Sequence, residues 1–213
     1  MSSIAEVFPH DDPVARFVVA MSMARNDVRH ALTQAGRANE EGDPEFTYWV
    51  RIATGHYFEA AYALDHWRQL PEVRSLIDQL PQDGRDALRQ ATSAIQKIGN
   101  DALEYSRNRT FHYPYPTSRY PSDQEFTDTL QALGKEEATL VVESDRYGWF
   151  RLQFADRVAE GLAVRKYDPA KIREQFTLAR DGAVGFVNFA TRAWETYGRT
   201  RGLELGEPRI PGD

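Results

Sequence analysis

Residues 12–35 read DPVARFVVAMSMARNDVRHALTQA, and within them Val14, Phe17, Val18, Met21, Ala24, Val28, Ala31 and Ala35 recur at the spacing of one helix face. Asp12 before Pro13 supplies a cap followed by a first-turn proline, whose fixed φ suits a helix start. The spacing predicts a long amphipathic helix ending near Asn39, before Gly42.

The same period runs along most of the chain. A second helix is predicted over about 44–70, capped by Asp43, with Phe46, Trp49, Val50, Ala53, Tyr57, Ala60, Leu64 and Trp67 as its apolar stripe. Pro71 stops it, and a short amphipathic piece follows over 72–80. A third long helix begins after Pro81-Gln82-Asp83-Gly84 and buries Leu88, Ala91, Ile95, Ile98 and Ala102. Pro114, Pro116 and Pro121 cannot continue it, since each fixes φ and removes a backbone donor. A short helix capped by Ser122 is expected over 122–135, an extended link at Thr139–Val142, and a further helix over about 147–166. Asp168-Pro169 opens the last helix, striped by Ile172, Phe176, Ala179, Ala183, Phe186, Val187, Ala190, Trp194 and Tyr197. The expected fold is all-α: an antiparallel helical bundle of four to five long helices with additional C-terminal helices. It forms one domain over 1–213, with a C-terminal helix over about 168–203 and a loose tail over 204–213.

Composition narrows the function classes. A chain of 213 residues, 41% hydrophobic and 27% charged, can bury a substantial core. No apolar run is long enough to cross a bilayer, and the N-terminus lacks a basic region followed by an apolar core. A soluble cytoplasmic protein without membrane partners is expected. The absence of cysteine excludes disulfides, thiol catalysis and cysteine-ligated metals. The net charge of −6 is uneven: residues 1–104 hold 10 basic and 16 acidic side chains, residues 105–213 hold 16 of each. Acid in the first half argues against sequence-independent coating of duplex DNA. Gly-rich phosphate loops, nucleophile elbows and dinucleotide fingerprints are missing from the sequence, which leaves kinase, hydrolase and dehydrogenase readings without support.

One stretch carries chemistry: Arg107-Asn108-Arg109-Thr110-Phe111-His112, followed by Tyr113-Pro114-Tyr115-Pro116. From Tyr105 to Pro121 there are three arginines (107, 109 and 119), one histidine and no acid. Such a set can bind and process a phosphodiester. Positions five apart on a helix lie roughly 140° apart around its axis. Arg107 and His112 therefore converge only if the helix breaks between them, or if two copies meet across a twofold interface.

An arginine, a polar residue and a histidine five positions on, at the end of a bundle helix, resemble the motif of the HEPN superfamily of ribonuclease and toxin domains. The resemblance covers the motif closely and, loosely, the helix order over about 12–165. It implies a homodimeric, metal-independent endoribonuclease of prokaryotic defence, with no cofactor, acting on RNA and controlled by an antitoxin or regulatory protein. His112 would be general base toward a ribose 2′-OH or acid toward the leaving oxygen. Arg107 would stabilise charge developing on phosphorus, and Asn108 would orient the histidine or the phosphate. A 2′,3′-cyclic phosphate is the implied product. Toxins of this family that are silenced by nucleotidyl transfer carry a tyrosine two positions after the histidine, where this chain has Pro114.

Around the motif, Arg109, Tyr113, Tyr115 and Arg119 are candidate substrate contacts, since aromatics and arginines stack on unpaired bases. Glu59 is a candidate support for Arg107 across the bundle. Other readings stand beside these. Basic groups at a helix C-terminus serve equally as caps. Arg25-Asn26-Asp27-Val28-Arg29-His30 repeats the motif's spacing inside an unbroken helical pattern, where Arg and His point apart. His56, Glu59 and His66, with Asp27 and His30, are potential metal ligands, but the Glu-x-x-His pattern of a di-iron bundle is absent and no metal is expected. The alternative functions are a catalytically inactive HEPN-like helical binding or dimerisation module and a metal-dependent four-helix protein.

Overall fold

The computed structural model describes residues 3–41, 45–98, 123–133 and 169–203. Among these residues there are seven helices and no strand: α1 (Ile4–Val7), α2 (Pro13–Glu41), α3 (Phe46–Trp67), α4 (Pro71–Asp78), α5 (Gln82–Ile98), α6 (Asp123–Leu133) and α7 (Pro169–Thr200). The expected link at 139–142, the helix over 147–166 and the tail from 204 lie outside the described residues.

Local chemistry accounts for most of the helix ends. Asp12 Oδ1 accepts from the Val14 amide at 2.8 Å, the cap that the sequence indicates. Asp43 and Ser122 lie outside the described residues; α3 instead has Glu45 at its N-cap, in helical geometry and without a side-chain cap bond. Pro71 both ends α3 and begins α4: it is the first helical residue, and Leu70 before it is extended (ψ 130°). α5 starts at Gln82, earlier than expected, so that Gly84 lies within its first turn, close against Arg192. α7 closes with Gly202 at φ 67° and a Leu203 N–H bond to the Gly198 carbonyl at 2.9 Å, a Schellman cap.

Pairwise contacts set the directions. Phe17 meets Trp67 (ring centroids 6.3 Å) while His30 meets Trp49 (5.9 Å), so α2 and α3 are antiparallel. Arg201 pairs with Asp12, and Arg25 Nε donates to Thr191 Oγ1 at 2.7 Å, so α2 and α7 are antiparallel. Gly84 faces Arg192 while Gln90 Nε2 donates to the Asp181 carbonyl at 2.9 Å, so α5 and α7 are antiparallel. The result is the expected antiparallel bundle, and α5 leaves Ile98 at the end where α2 finishes and α3 and α7 begin.

α7 is the hub. It packs against α2, α3, α4 and α5, and Ala179, Ala183, Phe186, Phe189, Ala190, Ala193 and Tyr197 are all buried. They share one hydrophobic cluster with Phe17 and Met21 of α2, Tyr57 and Leu64 of α3 and Ala91 of α5. Phe46 and Phe176, both expected on buried stripes, are 39% and 40% exposed. Phe46 is the first residue of α3, and Phe176 lies in the early part of α7. The N-terminal arm was not foreseen. Ser3 and Glu6 form a capping box on α1, Phe8 stacks on Tyr197 (5.8 Å), and Tyr197 Oη donates to the Val7 carbonyl at 2.7 Å.

The tightest point lies where α3, α5 and α7 meet. Tyr57 is fully buried and its hydroxyl donates to the Ala91 carbonyl at 2.6 Å. A Cβ on Gly182 would stand 2.6 Å from Tyr57 Cζ and 2.7 Å from Ala94 Cβ, and one on Gly185 would stand 3.0 Å from the Ala87 carbonyl and the Ala91 amide. Gly182→Ala is expected to cost about 2–3 kcal/mol through overpacking. Gly36→Ala, on an exposed turn of α2 with nothing within 4 Å of the new methyl, should gain up to about 1 kcal/mol. Urea unfolding of both variants measures the contrast. Burial also pushes the Tyr57 hydroxyl well above the usual tyrosine range. A raised folded-state value stabilises the protein fully below the unfolded value of about pH 10 and is lost as pH rises beyond it. The urea midpoint of the wild type should therefore fall more steeply above about pH 10 than that of Tyr57→Phe.

Candidate functional site

α5 is the element that leads to the motif. Its buried face is Gly84, Ala87, Ala91, Ala94 and Ile98, its last turn carries Lys97, and Arg107 follows nine residues after Ile98. Arg107, Asn108, Arg109, His112, Tyr113, Tyr115 and Arg119 lie outside the described residues, as do the three prolines beyond them. Glu59, the expected support for Arg107, is on α3 between buried Phe58 and Ala60 and is itself exposed. Only that half of the Glu59–Arg107 pair is described.

The end of the bundle from which α5 departs carries an aromatic cluster that sequence reasoning missed. Trp49 Nε1 donates to Glu45 Oε2 at 3.0 Å, its ring stands edge-on to His30, and Tyr48 packs against it (5.1 Å, 77°). The Arg51 guanidinium lies 5.4 Å from the Tyr48 ring centre. The apolar stripe of α3 reads Trp49 as core or interface; its indole is half-buried, with one edge on Glu45.

The repeated spacing at 25–30 resolves into two unrelated structural contacts. Arg25 turns to α7, with Nε on Thr191 Oγ1 and Nη1 on Asn26 Oδ1 at 3.3 Å. His30 turns to α3 and Trp49. Partial burial lowers the Arg25 pKa, and the charge of Arg29 one turn on lowers it further. The unbroken helix separates the two side chains, as the rotation between such positions requires.

The possible metal ligands do not gather. Among the described residues there is no group of three or more His, Asp or Glu side chains able to hold a metal ion. His66 Nδ1 donates to the Tyr62 carbonyl at 2.8 Å, an intrahelical bond that turns the ring along α3.

A groove of about 590 Å³ opens at the opposite end of the bundle, between the start of α2, α4 and the end of α7. Asp12, Glu72, Ser75, Gln79, Thr200 and Arg201 supply its polar atoms. Within it Arg201 pairs with Asp12 and lies 5.3 Å from the Tyr197 ring centre. Burial pushes the Tyr197 hydroxyl up, with the nearby Arg201 charge opposing. Among the described residues the buried Thr196 Oγ1 has no hydrogen-bond partner.

No family model matches this chain, and none of the curated proteins or solved structures compared with it matches. The likeness to HEPN domains therefore rests on the residues from Arg107 to His112 and the helical setting. Among the described residues no helix is long and apolar enough to cross a membrane. The structural role of Arg25 can be measured. A double-mutant cycle of Arg25→Ala and Thr191→Val should give a coupling of about 1 kcal/mol in urea unfolding, the net worth of a part-buried hydrogen bond.

Proposed function

We propose that this chain is a metal-independent endoribonuclease of the HEPN type, a defence or toxin component that works in the cytoplasm as a homodimer. The observation that carries this reading is the Arg107-Asn108…His112 spacing, with its acid-free flank, placed after the third long helix of an all-α antiparallel bundle. In this reading His112 exchanges the proton of the ribose 2′-OH or of the leaving oxygen, and Arg107 holds the phosphorus-bound oxygens as charge builds on them. Asn108 orients the histidine or the phosphate. Arg109, Tyr113, Tyr115 and Arg119 grip the flanking nucleotides, and Glu59 supports Arg107. RNA is the substrate, and an antitoxin or regulatory protein is the natural controlling partner.

A second reading is favoured by one specific observation. Arg25 and His30 show the same spacing in purely structural contacts, so this chain uses such pairs without catalysis. The bundle would then be a catalytically silent HEPN-like module for binding or dimerisation.

Incubation with structured and single-stranded RNA in EDTA separates these readings. The nuclease reading expects cleavage to 2′,3′-cyclic phosphate ends, loss of it in His112→Ala, and a fall of roughly 10²–10³-fold in Arg107→Ala. His30→Ala should cleave at the wild-type rate. Intact RNA with well-folded wild-type protein would leave the silent module, and cleavage only on addition of metal would sink both readings.

A further inference from the structure

Two arginines on α2, beside the seam with α7, have no acid to answer them. Arg68, Arg89, Arg180, Arg192, Arg199 and Arg201 each pair with a carboxylate. Among the described residues, Arg25 and Arg29 pair with none. Arg25 is also half-buried, with Nε on Thr191 Oγ1 and Nη1 on Asn26 Oδ1, both neutral acceptors. A guanidinium drawn partly out of water without a counter-charge is costly, and a second cation four residues on adds repulsion. Both effects hold Arg25 below its ordinary pKa.

The acids nearest in sequence are turned elsewhere. Asp27 lies roughly 160° around α2 from Arg25. On α7, Asp181 is taken by Arg180, and Glu195 by Arg192 and Arg199. Neutral donors stand in their place. Because α2 and α7 run antiparallel, the turn of α7 before Thr191 lies level with Arg29, and its exposed polar residue is Asn188. One turn before Arg25 on α2 is half-buried Ser22.

We propose that the seam of α2 and α7 at Arg25, Arg29 and Asn188 binds a tetrahedral oxyanion, either free phosphate or the phosphate of a small phosphomonoester. Thr191 and Asn26 fix the Arg25 guanidinium in place and leave Nη2 for the anion. Arg29 is exposed, and among the described residues no side-chain hydrogen bond holds its head, so it closes on the anion from one turn further along. Guanidinium groups stay protonated and match phosphate oxygens in a two-pronged geometry. The Asn188 amide adds an uncharged donor from α7. The anion supplies the negative charge that the fold leaves out beside a part-buried cation. This site rests on α2 and α7 alone and is independent of the nuclease reading.

Inorganic phosphate is the probe. Isothermal titration of the full chain should show one saturable site, and the melting temperature should rise in phosphate over chloride of equal ionic strength. Arg29→Gln should weaken Kd by roughly tenfold or more and remove that rise. Arg29→Glu supplies a carboxylate four residues from Arg25, so it should melt higher than wild type in chloride and cease to respond to phosphate. Arg37→Gln, at an exposed arginine about 18 Å further along α2, should respond as wild type does. Circular dichroism checks that each variant keeps its helices. A nucleoside 5′-monophosphate titrated in parallel separates the two sources: tighter binding than inorganic phosphate assigns the site to a monoester, and equal or weaker binding assigns it to the free ion. Identical melting in phosphate and chloride overturns the proposal, as does a phosphate response that survives Arg29→Gln or that Arg37→Gln removes equally.

Discussion

The hydroxyl of Tyr57 is the constraint around which the bundle is arranged. A buried hydroxyl without a partner is costly, and this one reaches the Ala91 carbonyl only because α5 and α7 draw close enough together for Tyr57 to touch both. That closeness explains the small residues: Ala87, Ala91 and Ala94 on α5, and Gly182 and Gly185 on α7. Once α7 is held there, its other faces meet α2, α3 and α4, and its helix is buried nearly all round in the middle of its length. The Arg25–Thr191 and Arg201–Asp12 contacts then fix how α2 lies along it.

Much of this was legible in the sequence, and the failures have physical causes. α2 reads cleanly because one face meets protein and the other meets water, so a single stripe and one capping aspartate suffice. α7 reads incompletely because a helix buried on most sides has no single stripe. Phe189, fully buried, falls off the row that runs through Ala183, Phe186 and Ala190. Gly182 and Gly185 look like helix-weakening residues until the neighbours that exclude a side chain are known. The exposure of Phe46 and Phe176 could not be read from period alone, since periodicity gives a direction and not the length of the neighbour that covers it.

The candidate site teaches the same lesson from the other side. Spacing alone does not distinguish Arg25–His30 from Arg107–His112. What defines the first pair is Thr191 on one side and Trp49 on the other, residues more than a hundred positions apart in sequence from each other. For the second pair the sequence offers the break signals of three prolines and a flank free of acid. The chemistry proposed for Arg107 and His112 rests on those signals together with the resemblance to the HEPN motif, and the aromatic cluster at Trp49 lies at the end of the bundle where α5 reaches Ile98.

The position of α7 in the chain has a consequence for synthesis. The helix that closes the core follows every helix it packs against, so α2, α3, α4 and α5 leave the ribosome before their common partner exists. During that interval Phe17, Tyr57 and Ala91 lack the wall supplied by Phe186 and Phe189. A nascent chain of this kind displays a wide apolar trough until residues near Thr200 are made, and is open in that window to capture by chaperones or by its own neighbours on the same message.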